Sequence, residues 1–311
     1  MKSCLMWSSK VTFLLFAMLA LSSETAAAAQ PGVGPEKIAF VANLKGNWDI
    51  FLADGDGRNV VQLTDTSHDE NEPRWSADRK RIVYSASNGK LYVIDVKTKE
   101  YHQVPIEDNG GKMTGPSFSP DGKKIVYVHF KPDKADDTEL AIFDLDRNTN
   151  RKFMDQYGPL FFPSWSPDDK YIIYTAGHCS MNCGRIIQEL WIAGTKGNYA
   201  RQVLMTNSHC MQPVWSSDGK KITFASDKSG NYDIWSLSLE NWGLTQLTND
   251  PHLDTSPAWS PDGRRIAFVS ARNGKTMIWI MDLETGKLKM LSPFNGEKRP
   301  NGGQEEHILE L

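Results

Sequence analysis

The stretch SPAWSPDGRRIAF, residues 256–268, decides the fold, because the chain carries it five times. EPRWSADRKRIVY (72–84), GPSFSPDGKKIVY (115–127), FPSWSPDDKYIIY (162–174) and QPVWSSDGKKITF (212–224) superimpose on it without gaps. Their prolines are Pro73, Pro116, Pro163, Pro213 and Pro257, spaced by 43, 47, 50 and 44 residues. An aromatic follows each proline by two places (Trp75, Phe118, Trp165, Trp215, Trp259). An isoleucine follows that aromatic by seven (Ile82, Ile125, Ile172, Ile222, Ile266). KIAFVA, from Lys37, is a sixth copy of the isoleucine element. Self-similarity at such a period marks a repeat architecture.

Each unit reads as four short strands. P-x-W-S is the first, and S-P-D-G is a tight turn in which Pro pre-sets φ, Asp caps locally and Gly takes the positive-φ place. The I-x-F/Y run is the second strand, and runs such as DIFLAD, LYVIDV and IWIMDL are the third. VVQLT and LTQLT are examples of the fourth. The middle strands are apolar at nearly every position, as strands covered on both faces are. The expected fold is all-β: a six-bladed β-propeller of four-stranded antiparallel blades.

Composition agrees. Ten Trp and 24 Gly among 311 residues suit large flat side chains and frequent turns. Thirty-five basic against 38 acidic residues leave a net charge of -3. That excludes the concentrated positive field a nucleic-acid partner needs. Lys2 and Lys10 precede the apolar run Val11–Leu21, and small residues lead to Ala29. This is the pattern of a secretory signal peptide, too short to span a bilayer. The expected organisation is residues 1–29 signal peptide, 30–36 a short N-terminal segment, 37–304 propeller and 305–311 a tail. The mature chain is expected to be exported, periplasmic or extracellular, with no transmembrane segment.

The unit W-S-P-D-G-K-x-I-A-F, with GNYDIW (230–235) and QLTND (246–250), resembles the TolB-like, PD40-type propeller repeat over Lys37–Leu291. The resemblance implies a periplasmic protein that binds envelope protein partners. Members carry an α/β domain ahead of the propeller, and with only residues 30–36 between the expected leader and the first strand none is expected here. The repeat is also similar to propellers of prolyl-oligopeptidase-type peptidases. The G-x-S-x-G nucleophile turn of their hydrolase domain does not occur. No enzyme is expected, and no cofactor.

The Asp residues of the repeated turn (Asp121, Asp168, Asp218, Asp262) read as turn formers. Asp49 and Asp233 read as ties for the loop between second and third strands, and the repeated aromatics as core. The loops entering each first strand vary on a constant scaffold, which is where specificity resides. They place Glu70, Asn71, Glu72, Met113, Thr114, Phe161, Phe162, Met211, Gln212, Asp254, Thr255 and Glu297 on one axial face. Aromatic, thioether and acidic groups together suit a protein or peptide segment. His68, His178, His209 and His252 are the candidates for a metal, the alternative being a metal-dependent polysaccharide lyase or hydrolase with its site in the funnel. A third alternative is a structural subunit that self-assembles through strand edges. Cys179, Cys183 and Cys210 are disulfide candidates, through a local Cys179–Cys183 bridge or a bridge to Cys210.

Blade one has no P-x-W unit ahead of Ile38. At the other end Pro300, in GEKRPNGGQ, continues the proline phase. The ring is therefore expected to be closed by the C-terminal segment, residues 298–304 pairing beside the Lys37 strand.

Overall fold

A computed structural model describes residues 20–21, 36–44, 46–107, 110–132, 137–154, 158–179, 186–197 and 199–291. These residues form six antiparallel sheets, each with its strands in sequence order. Blade one comprises β1 (Ala20–Leu21), β2 (Lys37–Asn43), β3 (Trp48–Asp54) and β4 (Val61–Gln62). Blade two is β5 (Glu70–Trp75), β6 (Arg81–Ala86), β7 (Leu91–Asp95) and β8 (Tyr101–Gln103). Blade three is β9 (Lys112–Phe118), β10 (Lys124–Phe130), β11 (Thr138–Asp144) and β12 (Thr149–Met154). Blade four is β13 (Leu160–Trp165), β14 (Tyr171–Cys179), β15 (Ile186–Gly194) and β16 (Ala200–Gln202). Blade five is β17 (Cys210–Trp215), β18 (Lys221–Ser226), β19 (Asp233–Ser238) and β20 (Leu244–Gln246). Blade six is β21 (Asp254–Trp259), β22 (Arg265–Ser270), β23 (Met277–Asp282) and β24 (Leu288–Leu291).

The first strands β1, β5, β9, β13, β17 and β21 touch one another in that order and close on β1. They line the axis of a six-bladed propeller. The second and third strands are buried along most of their length, and the fourth strands are exposed. The repeated isoleucines, from Ile38 to Ile266, are no more than 1% exposed. Phe118, Trp165, Trp215 and Trp259 are buried as well, which confirms them as packing between blades. No helix of the described residues is long and apolar enough to cross a membrane.

The repeated turn is held by its serine and aspartate. The Ser260 hydroxyl donates to Asp262 Oδ1 at 2.6 Å and accepts the Arg265 N–H at 2.9 Å. Ser76, Ser119, Ser166 and Ser216 do the same with Asp78, Asp121, Asp168 and Asp218. Gly122, Gly219 and Gly263 take the positive-φ place, with φ of 68, 70 and 69°. Arg79 and Asp169 hold it in blades two and four without glycine's freedom.

Asp49 and Asp233 tie the loop between second and third strands as expected, Asp49 accepting from Asn47 Nδ2 at 3.3 Å and Asp233 from the Ser229 hydroxyl, and they do more than that. Each opens a third strand and reaches the fourth: Asp49 accepts from Gln62 Nε2, and Asp233 from Gln246 Nε2, both at 3.0 Å. The neighbouring asparagines hold the loop beyond, Asn47 donating to the Thr66 carbonyl and Asn231 to the Asp250 carbonyl. Glu189 supplies the same anchor in blade four, accepting the N–H groups of Thr206 and Asn207. The loops that lead to the axis thus hang from the third strands.

Blade one corrects the expected closure. The strand beside β2 is Ala20–Leu21, which pairs with Ala39 and Ile38. An inner edge of seven residues requires a partner for its N–H and C=O groups, and the apolar N-terminal residues provide one. Residues 298–304 lie outside the described residues, as do most of the expected signal peptide and the tail.

Candidate functional site

Each inner strand from β5 onward bulges at the axis. In blade two Asn71 pairs with Ser85 and Arg74 with Val83, so Glu72 and Pro73 together stand opposite Tyr84. The same register break recurs in the other four. Two residues facing one is a β-bulge, which bends the strand and re-aims its side chains. At all five the residue before the proline has positive φ: Glu72 (56°), Gly115 (59°), Phe162 (52°), Gln212 (54°) and Ser256 (53°). Pre-proline residues are normally driven to extended backbone, so this geometry comes from the ring and not from local preference.

Two of these residues stitch neighbouring blades together. Gln212 Oε1 accepts the Ser256 N–H at 2.8 Å, and the Glu72 carboxylate accepts the Gly115 N–H. Glu72 also takes the Ser85 hydroxyl at 2.9 Å. Burial pushes the Glu72 carboxyl up against these hydrogen bonds, and it pulls the Arg74 guanidinium down against the attraction of Glu72. Both side chains are nevertheless reached by solvent.

Exposure divides the expected face into two parts. Asn71, Glu72, Thr114, Phe161 and Phe162 are half-buried, on blades two, three and four. Phe161 and Phe162 have ring centroids 6.0 Å apart, and Phe130 lies 6.2 Å from Phe161. These residues form an open arc with an aromatic centre and a carboxylate. By contrast Glu70, Met113, Met211, Gln212, Asp254 and Thr255 are buried, contrary to their expected place on the surface. Glu70, Met113 and Asp254 occupy positions that alternate inward, toward the neighbouring sheet. Met211, Gln212 and Thr255 are covered where blades five and six meet closely. Glu297 lies outside the described residues.

Two of the buried acids hold the scaffold. Glu70 accepts from the Thr64 hydroxyl at 2.9 Å and from the Thr66 hydroxyl. Desolvation, with Asp49 beside it, pushes its carboxyl up to about 7. Asp254 pairs with Arg272 at 2.7 Å, whose guanidinium lies 5.0 Å from both the Phe268 and Trp279 rings.

The histidines do not come together. His252 Nδ1 lies 2.9 Å from Asp250, the His209 N–H donates to Asp227, and the His68 carbonyl accepts from Asn47. His178 sits in β14 opposite Ile187. Among the described residues no three His, Cys, Asp or Glu side chains form a metal-holding group. Cys210 is a buried free thiol pushed up to about 11 by burial, with the Thr206 and Ser226 hydroxyls near its sulfur. Cys179 ends β14, and Cys183 lies outside the described residues.

The family model described as the TolB beta propeller domain (PD40) matches residues 26–180 and 124–305. The Tol-Pal system protein TolB of Francisella tularensis subsp. mediasiatica is 30% identical over 210 residues, covering 65% of this chain and 46% of that protein. Dipeptidyl-peptidase 5 of Porphyromonas gingivalis is 29% identical over 237 residues, covering 72% of this chain and 33% of that protein. The chain thus spans less than half the length of the curated relatives it matches. Among solved structures, TolB from Acinetobacter baumannii superimposes with a TM-score of 0.69 at 21% identity, covering 82% of this chain and 63% of that one.

Proposed function

The chain belongs to the TolB β-propeller family, and from that premise we propose that it is an exported, non-enzymatic protein of the cell envelope that binds a protein or peptide segment through its axial face. The observation that carries this reading is the open arc. Phe161 and Phe162 stand half-exposed and side by side on a rigid inner strand, flanked by Thr114, Asn71 and Glu72. Aromatic side chains lose little entropy when they are covered, and they are the usual anchors of protein interfaces. The Glu72 carboxylate, already hydrogen-bonded, gives the edge of that anchor a polar, orienting contact.

The test is capture of partners from envelope extract by the wild-type protein and by the Phe161→Ala/Phe162→Ala variant. Loss of each anchor costs about 2 kcal/mol or more, so the double variant is expected to lose capture while keeping its far-UV spectrum. Undiminished capture would overturn the reading. So would unfolding of the variant, since the two rings would then be structural.

A further inference from the structure

The turns between third and fourth strands lie on the face opposite the axial loops, because strand direction alternates within each blade. In blades two, three, five and six one residue of this turn has positive φ: Lys99 (61°), Asn148 (53°), Trp242 (59°) and Gly286 (67°). Gly and Asn accept that conformation at little cost, whereas a bulky side chain is strained there. Trp242 is 46% exposed, so burial in a core does not offset the strain. Uncompensated strain of this kind is characteristic of binding positions.

Trp242 has company from the next blade. Arg201, in β16, lies opposite Ile192, on the sheet face that packs against blade five. Its guanidinium carbon is 4.9 Å from the Trp242 ring centre. Two residues earlier Tyr199 is 42% exposed and edge-on to Tyr171, with ring centroids 6.4 Å apart. An indole, a guanidinium and a phenol thus follow one another across the seam of two blades. Lys196, in the same turn as Tyr199, adds an exposed cation. The nearby acids are taken up by other cations, Glu240 by Lys220 at 2.7 Å and Asp168 by Lys170 at 3.1 Å. The charge left beside the rings is positive.

Size decides what such a platform holds. The open fractions of the Trp242 and Tyr199 rings amount to about 200 Å². That is far below the roughly 800 Å² that each side of a stable protein interface covers. It matches a few sugar rings. A pyranose has C–H groups on its flat faces, which lie against aromatic rings, and polar groups at its edge, which take N–H donors. We propose that Trp242, Tyr199 and Arg201 form a second binding site, for an acidic polysaccharide, with sugar rings on the two aromatics and a sugar carboxylate on the Arg201 guanidinium. The site stands on the face away from the Phe161–Phe162 arc and does not depend on what that arc binds.

Titration of the full chain with hexamannuronate, and with cellohexaose as its uncharged counterpart, tests the site. The wild-type protein is expected to bind hexamannuronate about tenfold more tightly than cellohexaose. Arg201→Gln is expected to lose that preference. Trp242→Asn puts blade three's residue into the turn; it is expected to weaken binding of hexamannuronate by about tenfold or more. Because Asn tolerates the positive φ, the same variant is expected to keep its Tm or gain about 1–2 °C. Absence of hexamannuronate binding, or equal affinity for the two hexamers, would overturn the proposal. So would undiminished binding by Trp242→Asn, or a fall in its Tm, which would make the indole a structural group.

Discussion

Glu70 shows how one residue can be well placed in sequence and misread in role. Its position, first in an inner strand after a variable loop, is that of a surface acid, but it is buried against two threonine hydroxyls. Its carboxyl, pushed up to about 7 by desolvation, keeps a proton in the folded chain that the unfolded chain releases near 4.5. The folded state therefore binds more protons between those values, and its stability falls as pH rises from about 4.5 to 7. Glu70→Gln keeps the shape and removes the titration. Melting curves from pH 4.5 to 7.5 are expected to lose a slope worth on the order of 1 kcal/mol in the variant. A parallel slope in both proteins would place the titration elsewhere.

At the scale of the element, the serine–aspartate turn is the device that makes each blade's first hairpin. The Ser260 hydroxyl is buried, donates to Asp262, accepts the Arg265 N–H and also lies 3.1 Å from the Arg265 carbonyl oxygen. Ser260→Ala leaves a backbone donor without its side-chain acceptor, at a cost of about 1–2 kcal/mol. For a domain of this size that lowers Tm by about 2–4 °C. An unmoved Tm would mean that strand pairing alone holds the turn. The five turn aspartates share a pH behaviour. Partial burial opposes their ionisation, but the serine hydroxyl, the backbone N–H and the adjacent Lys or Arg outweigh it and hold each carboxyl below its usual value. Their contribution is complete above about pH 4 and is lost as the pH falls through their lowered values.

For the whole molecule, the ring makes the blades interdependent, since every inner strand touches two neighbours. Cys210 reports on that cooperativity. It is fully buried, and burial holds its thiol in the protonated, unreactive form. Under native conditions it is expected to resist alkylation for hours. In a denaturant series it is expected to label at the same midpoint at which tryptophan fluorescence changes. Labelling well below that midpoint would show that blade five opens on its own.

The sequence by itself determined the blade. Proline, aromatic and isoleucine recur in phase, and each obeys a local rule: a turn residue, a packing residue and a residue for a strand buried on both faces. From these follow the six sheets, their strand order, the aromatic core and the role of the turn aspartates. Three things were decided only by the tertiary structure. The positive φ before each proline had no local signal, because Glu72, Gly115, Phe162, Gln212 and Ser256 share no side-chain chemistry and pre-proline sterics argue against it. The one hint was that this column varies completely beside an unvarying proline. The division of the axial face into an open arc on blades two to four and a closed one on blades five and six depends on how closely neighbouring sheets approach. The partner of β2 is a matter of which segment reaches a free edge, and backbone hydrogen bonding carries no mark in the side chains that a reader of the sequence could follow.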